Sequence, residues 1–341
     1  MTDGISIVIC SYNGSQRIAQ TLGCLAQQTV SGSFPWEVLL IDNLSTDHTA
    51  EAARQAWTSS VPLRVMVEGD PGVRNARLRG IREAAYEFIA FVDDDNHVDE
   101  HWLQTAYDLM QSLPQAGAIG GLNLPEFESV PPNWYETYQA CYAVGAQAEE
   151  EGEISRPTQV LWSAGMVLRR TAWQDLERMN FQSLLVSRVG NKLLSGEDSE
   201  ICYMLRLAGW KLYYTPRLKL GHLMTPNRLN WRYLCRLKRG FGATSVILSM
   251  YRRLYEYSLT GIRPQSKFWW QEVLADLVNV LSQPRVLAAT LLGLFEGNAR
   301  VLNMHALLGR LGERLRLLGR EDAIEHGLWE RYMPNIKVNR Q

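Results

Sequence analysis

Three adjacent carboxylates, Asp93-Asp94-Asp95, close an apolar run in the stretch FVDDDN. Charges this close repel one another unless a cation neutralises them. Mg²⁺ or Mn²⁺ suits such oxygen ligands, and both ions also keep waters and substrate phosphates in their shells. The plainer alternative is a solvated acidic loop ahead of the next helix. A second group, Glu197-Asp198, opens a helical stretch in GEDSE. Carboxylates there act either as caps and dipole partners or as a general base that deprotonates a hydroxyl. Asp42 ends another apolar run, with Ser45 and Asp47 beyond it. It suits an Asx-turn as well as hydrogen bonds to a nucleoside. Arg77 sits on a helical stretch with Arg74, Arg79 and Arg82, where it would bring positive charge towards a diphosphate or simply face water. His222 follows a strand-like segment, either as a structural imidazole or as a nitrogen ligand completing a metal held by Asp95.

These groups need a frame that brings them together. Apolar, β-branched runs over residues 5–10, 38–41, 63–67 and 88–92 predict buried strands. Helical spacing over 18–28, 49–57, 75–87 and 101–113 predicts the helices between and after them. That alternation implies an α/β fold, a mostly parallel sheet with helices on both faces. Ligands of such sheets bind at the carboxyl ends of the strands. The polar clusters at 11–13, 42–47 and 93–96 all fall there. Further on, the pattern predicts a helix over 135–153, a strand over 160–169, a helix over 198–208 and a strand over 210–214. From residue 230 it is helical almost to the end, with breaks near Pro264 and Pro284.

The chain has 341 residues, 46% hydrophobic and 21% charged, values of an ordinary globular protein. Five widely spaced cysteines form neither a disulfide framework nor a zinc motif, which fits a reduced, cytoplasmic setting. No basic leader precedes the first strand, and no uncharged run reaches the length of a membrane span. Charge is divided unevenly. Residues 1–220 carry 17 Lys and Arg against 27 Asp and Glu, a balance of −10, and residues 221–341 carry 18 against 9, a balance of +9. The acidic part suits a divalent metal, and the basic part suits phosphate groups or an anionic membrane face.

Taken in order, these motifs resemble the family-2 glycosyltransferases of the GT-A fold over residues 4–225. SIVICSYN at 6–13 is similar to the family's first strand and nucleotide-contacting turn, which implies donor contacts for Ser11, Tyr12 and Asn13. EVLLIDNLSTD at 37–47 is similar to the second strand, whose terminal aspartate, here Asp42, meets the base of the donor. GVRNARLRGIREA at 72–84 resembles the helix bearing the family's arginine, here Arg77, with Leu78 where an Asn is usual. FVDDDN matches the D-x-D signature. It implies that Asp93 and Asp94 lie on the donor side and that Asp95 binds Mn²⁺ or Mg²⁺, with His222 near the metal. GEDS matches the later acidic motif, in which Asp198, flanked by Glu197, would be the catalytic base. Trp162-Ser163-Ala164-Gly165 resembles the small-residue turn beside the acceptor, so Trp162 and Gly165 are acceptor candidates. Trp134 and Trp173 are further sugar platforms unless they pack in the core.

The resemblance implies an inverting single displacement from a UDP-, GDP- or dTDP-sugar to a glycan or lipid-linked acceptor, with no nucleic-acid partner. It divides the chain into a nucleotide-sugar-binding and catalytic domain over 1–225 and a helical region over 226–341. That region would pack on the catalytic domain, pair in a homo-oligomer, or touch the inner membrane face peripherally. For the last role the candidates are Arg228, Arg232, Arg236, Lys238 and Arg239, and a second set at 310–320. Three competing classes are weaker. A nucleotidyltransferase would want a Gly-rich basic loop where SYNGSQR stands, and a dinucleotide oxidoreductase would need G-x-G-x-x-G. A non-catalytic glycan- or membrane-binding module would be free to lose Asp93, Asp95 and Asp198.

Overall fold

The computed structural model describes residues 2–32, 34–185, 196–264 and 268–336. Its strands are β1 (Ile5–Ser11), β2 (Trp36–Asp42), β3 (Leu63–Val67), β4 (Phe88–Phe91), β5 (Asn96–Val98), β6 (Ala116–Phe127), β7 (Gly152–Glu153), β8 (Val167–Arg169) and β9 (Lys211–Met224). The first helices are α1 (Ile18–Ala26), α2 (Thr49–Ala56), α3 (Val73–Glu83), α4 (Trp102–Ser112), α5 (Tyr135–Tyr138), α6 (Arg170–Arg178) and α7 (Glu197–Leu207). The later ones are α8 (Trp231–Thr260), α9 (Trp269–Leu281), α10 (Pro284–Leu292), α11 (Ala299–Leu317) and α12 (Glu321–Tyr332).

The chain forms two compact units. The first comprises residues 1–127, 143–178 and 210–223, and the second comprises 128–142, 179–209 and 224–341.

The first unit holds one sheet in the order β3-β2-β1-β4-β8-β6-β9-β5, with β7 paired to β9. The expected parallel arrangement covers β3-β2-β1-β4. The pairs β4–β8, β6–β8 and β5–β9 are antiparallel. Strand β1 shows why the sheet is covered on both faces. Ile5, Ile7 and Ile9 pack in one cluster with Ile18, Leu22 and Leu25 of α1 and Trp102, Leu103 and Ala106 of α4. On the opposite face Val8 meets α3 so closely that a Cβ at Gly80 would lie 2.2 Å from Val8 Cγ1. Burial on both sides accounts for the unbroken apolar composition of the strand.

Three local expectations are corrected. The helix predicted over 135–153 stops early, as α5 followed by a 3₁₀ turn over Gln139–Tyr142. Ala143 and Gly145 then take left-handed conformations, and Gly145 exchanges backbone hydrogen bonds with Asn123. The strand predicted over 160–169 shrinks to β8, because Gly165, at φ +78°, turns the chain just before it. The strand predicted over 210–214 extends instead to Met224 and carries His222 on it.

The second unit is helical, with α8 running through 30 residues. Arg310 and Arg314 of α11 form ion pairs with Asp276 of α9, at 2.5 and 2.8 Å, and Arg314 also pairs with Glu272. The expectation of lipid-facing cations at 310–320 is therefore corrected for these two arginines, which neutralise carboxylates on a neighbouring helix. Among the described residues no helix is long and apolar enough to cross a membrane.

Candidate active site

The polar ends of β1, β2 and β4 meet as the alternation predicts. Ser11, the last residue of β1, donates through Oγ to Asp94 Oδ2 at 2.5 Å, and Arg17 pairs with the same oxygen at 3.1 Å. Gly14 makes room for this contact. A Cβ there would lie 2.2 Å from both Ser11 Oγ and Asp94 Oδ2. Burial pushes the Asp94 carboxyl up and the neighbouring Asp95 pushes it further, while Arg17 and the Ser11 hydroxyl draw it back. Asp94 is thus anchored under the first loop.

Its neighbours face different partners. Asp93 Oδ1 lies 3.5 Å from Arg77 Nη2, which also donates to Ser163 Oγ at 2.8 Å. Asp95 Oδ1 lies 3.6 Å from His222 Nε2, with both side chains under 10% exposed. Fully buried Asn96 fixes the turn that presents all three. Its Oδ1 accepts from Asp93 N at 3.1 Å, its Nδ2 donates to Asp95 Oδ1 at 3.3 Å, and its own N donates to Asp93 O. The antiparallel pairing of β5 with β9 sets Asn96 opposite His222.

The loop residues divide in the same way. Asp42 is buried and accepts from Ser45 N at 2.9 Å, so the Asx-turn is real. Asn13, left-handed at φ 51°, accepts through Oδ1 from Thr46 N at 2.8 Å and ties the two loops together. Tyr12 between them is 61% exposed, its ring open to a planar ligand. Trp162 is half-buried, with its N donating to Gln147 Oε1 at 2.7 Å. Gly165 N donates to Phe91 O, and a Cβ at Gly165 would meet Leu220 Cδ2 at 2.5 Å.

Of the further tryptophans, two take the packing role. Trp173 is buried and donates to Glu177. Trp134, in the second unit, packs edge-on against Trp231 and donates to Glu296 at 2.7 Å.

Glu197 and Asp198 belong to the second unit, in the first turn of α7. Gly196, at φ +120°, lets the chain enter that turn. Asp198 Oδ1 accepts from Ser199 N at 2.8 Å, and Glu197 is buried. Glu200, fully buried one residue beyond Ser199, accepts from Leu184 N at 2.8 Å, Leu185 N at 3.3 Å and the Ser183 hydroxyl.

Sequence reasoning missed several working residues. Arg17 has a weak signal, a lone cation six residues after the end of β1. Asn96 has a clearer one, an amide closing a run of carboxylates. Asn43 bridges Glu68 O, Asp70 O and Gly72 N, and Asn123 donates to Ala143 O and Ala164 O. Both rest on contacts that no local pattern contains.

Among the described residues no three or more His, Cys, Asp or Glu side chains form a metal-ligating group. Asp95 and His222 supply a buried oxygen and nitrogen 3.6 Å apart, a donor pair that fits a divalent ion sharing its shell with water and phosphate.

A sheet whose strand ends gather carboxylates beside arginines has its polar crevice where α/β folds bind their ligands. Residues 6–176 match the family described as Glycosyl transferase family 2, and the chain belongs to that family. Its fold is the GT-A fold. It is 35% identical over 101 residues to glycosyltransferase AglE of Haloferax volcanii, covering 29% of this chain and 33% of that one. It is 19% identical over 234 residues to the glucosyl-dolichyl phosphate glucuronosyltransferase of the same organism, covering 67% and 72%. The chain thus spans a third of the first relative's length. Among solved structures, Staphylococcus aureus TarS 1–349 in complex with UDP-GlcNAc superposes with a TM-score of 0.51 at 16% identity, covering 98% of this chain and 89% of that one.

Proposed function

We propose that the chain moves a glycosyl unit from a nucleoside diphosphate sugar to a hydroxyl of a glycan or lipid-linked acceptor, with inversion at the anomeric carbon. The observation that carries this is the division of labour among three adjacent carboxylates. Asp94 is tied to Ser11 and Arg17, Asp93 faces Arg77, and Asp95 faces His222. Such a loop offers a nucleoside its fixed acceptors and a diphosphate its cation. Tyr12 and Asp42 would meet the base, Ser11, Asn13, Asp93 and Asp94 the donor loop, and Arg77 the diphosphate. Trp162 and Gly165 would line the acceptor side. A lipid-linked acceptor agrees with the name of the relative that acts on glucosyl-dolichyl phosphate.

In the reaction, Asp198 takes the proton of the acceptor hydroxyl as its oxygen attacks C1. The C1–O bond to the diphosphate breaks, and the nucleoside diphosphate leaves with the electron pair. Mn²⁺ or Mg²⁺, held by Asp95 and His222, would stabilise the charge growing on that leaving group. Glu197, the adjacent carboxylate in the first turn of α7, would be the base if Asp198 were only a cap. In this reading residues 1–225 carry donor and chemistry, and 226–341 make contacts with the acceptor, a membrane surface or a second copy. A nucleotide-release screen over UDP-, GDP- and dTDP-sugars with Mn²⁺ tests the proposal. Release from one of them is expected, and no release from any, with and without added glycan or polyprenyl acceptors, would overturn it.

A further inference from the structure

Helix α9 buries Val280, with Val273 beside it, against Met304 and Leu311 of α11, yet leaves a second apolar face open. Its two carboxylates are turned towards α11, where Asp276, 2% exposed, accepts from Arg310 and Arg314, and Glu272 pairs with Arg314. Its open face carries Trp270, Leu274, Leu277, Val278 and Leu281, between 40% and 61% exposed. These positions recur at helical spacing along one side. A helix meeting only water on that side would show the opposite arrangement. Helix α10, which packs beside α9, adds Leu291 and Leu292, each 71% exposed, and Phe295 follows at 67%. An apolar surface of this extent marks an interaction site.

We infer that the α9–α10 face docks on a lipid bilayer with anionic headgroups, its leucines and aromatic rings entering the headgroup boundary. Charge selects this partner. From residue 268 to 320 the chain has six arginines and four carboxylates, and every one of the four is engaged. Glu272, Asp276 and Glu313 pair with Arg314, Arg310 and Arg316, and Glu296 accepts from Trp134. Arg285 on α10 and Arg300 at the start of α11 stand exposed, as does Arg320 just after α11, and they suit phosphate headgroups. A second copy meeting the same face across a two-fold axis would instead bring like charges together. The inference deepens the reading of a lipid-linked acceptor and rests on it for its purpose. Vesicle binding needs no turnover, so the two can fail separately.

The test is co-sedimentation of the full chain with phosphatidylcholine vesicles, with and without phosphatidylglycerol, at low and high salt. The chain should pellet best with the anionic vesicles at low salt and keep part of that binding at high salt, because the apolar share is not screened. Leu274→Gln and Leu281→Gln should each weaken partition roughly tenfold. Both positions are exposed, so circular dichroism and Tm should stay unchanged. If either variant unfolds, Leu291→Gln on α10 gives the same reading. Equal pelleting of wild type and variants, or none with either vesicle, would overturn the inference. A dimer in lipid-free buffer that Leu274→Gln dissolves, without vesicle binding, would assign the face to a second copy.

Discussion

Asp95 Oδ1 and His222 Nε2 stand 3.6 Å apart although they lie on segments far separated in sequence. The pairing of β5 with β9 brings them together, with Asn96 opposite His222 and Leu223 N donating to Asp95 O. The backbone therefore sets this pair before any ligand arrives.

From that geometry, Asp95→Ala should lower nucleotide release by at least about 10²-fold, since an ion at a leaving group contributes several kcal/mol. His222→Ala should also raise the Mn²⁺ concentration needed for half-maximal rate. A metal titration of both variants checks this. Full wild-type turnover in EDTA would remove the ion from the reaction.

Asp198→Asn should bind donor as tightly as wild type and lose about 10²–10⁴-fold in kcat. Calorimetric donor binding alongside initial rates separates the two effects. A parallel loss of affinity would make Asp198 a structural cap and turn attention to Glu197.

Asn96→Ala should destabilise the first unit by about 1–3 kcal/mol, because the Asp93 amide and the Asp95 carboxylate lose a buried partner. Turnover should fall as well, since the turn presenting Asp93 and Asp95 loosens. Thermal melts and rates on the same samples test the link. Asn96→Asp should rescue the acceptor for Asp93 N but not the donor to Asp95.

Gly14→Ala should weaken donor binding, because its methyl carbon would collide with Ser11 Oγ and Asp94 Oδ2. Overpacking of this kind costs about 1–3 kcal/mol. An unchanged donor Kd would show that the loop yields freely.

Burial pushes the Glu321 carboxyl from 4.5 up to about 7, with Arg314 drawing it down and Glu272 pushing it up. Below pH 4.5 the group is protonated folded or unfolded and costs nothing. Between pH 4.5 and about 7 the unfolded chain gives up its proton while the folded chain keeps it, so stability falls, and the loss is complete above pH 7. Glu321→Gln should therefore stabilise the protein by about 1–3 kcal/mol at pH 8 and hardly at all near pH 4. Denaturant melts at the two pH values check the sign.

The strands and most helices could be read directly, because burial of a strand or a helix face leaves a period in the residues themselves. The run over 88–92 became β4, and the aspartates fell at its end as that reading required. The Asp42 turn, the motif order and the helical nature of the C-terminal half were equally local. The length of β9 was not, since its alternating stretch holds Pro216 and Gly221, residues that usually interrupt a strand.

What the tertiary structure alone decided were pairings across the chain. Arg17 on Asp94, Arg77 on Ser163, and His222 opposite Asn96 each join residues whose separation carries no periodic signal. The tryptophans make the same point. Trp134 and Trp173 are as aromatic as Trp162, yet only their surroundings make the first two packing residues. In α9 the stripe of Leu274, Leu277 and Leu281 has the spacing of an ordinary core face. Arg310 and Arg314 of α11 pair with the carboxylates of α9 beside the buried Val273 and Val280, and the leucines are left outside. Local sequence sets which residues share a face, and the partners met on folding, apolar and ionic together, decide which faces are buried.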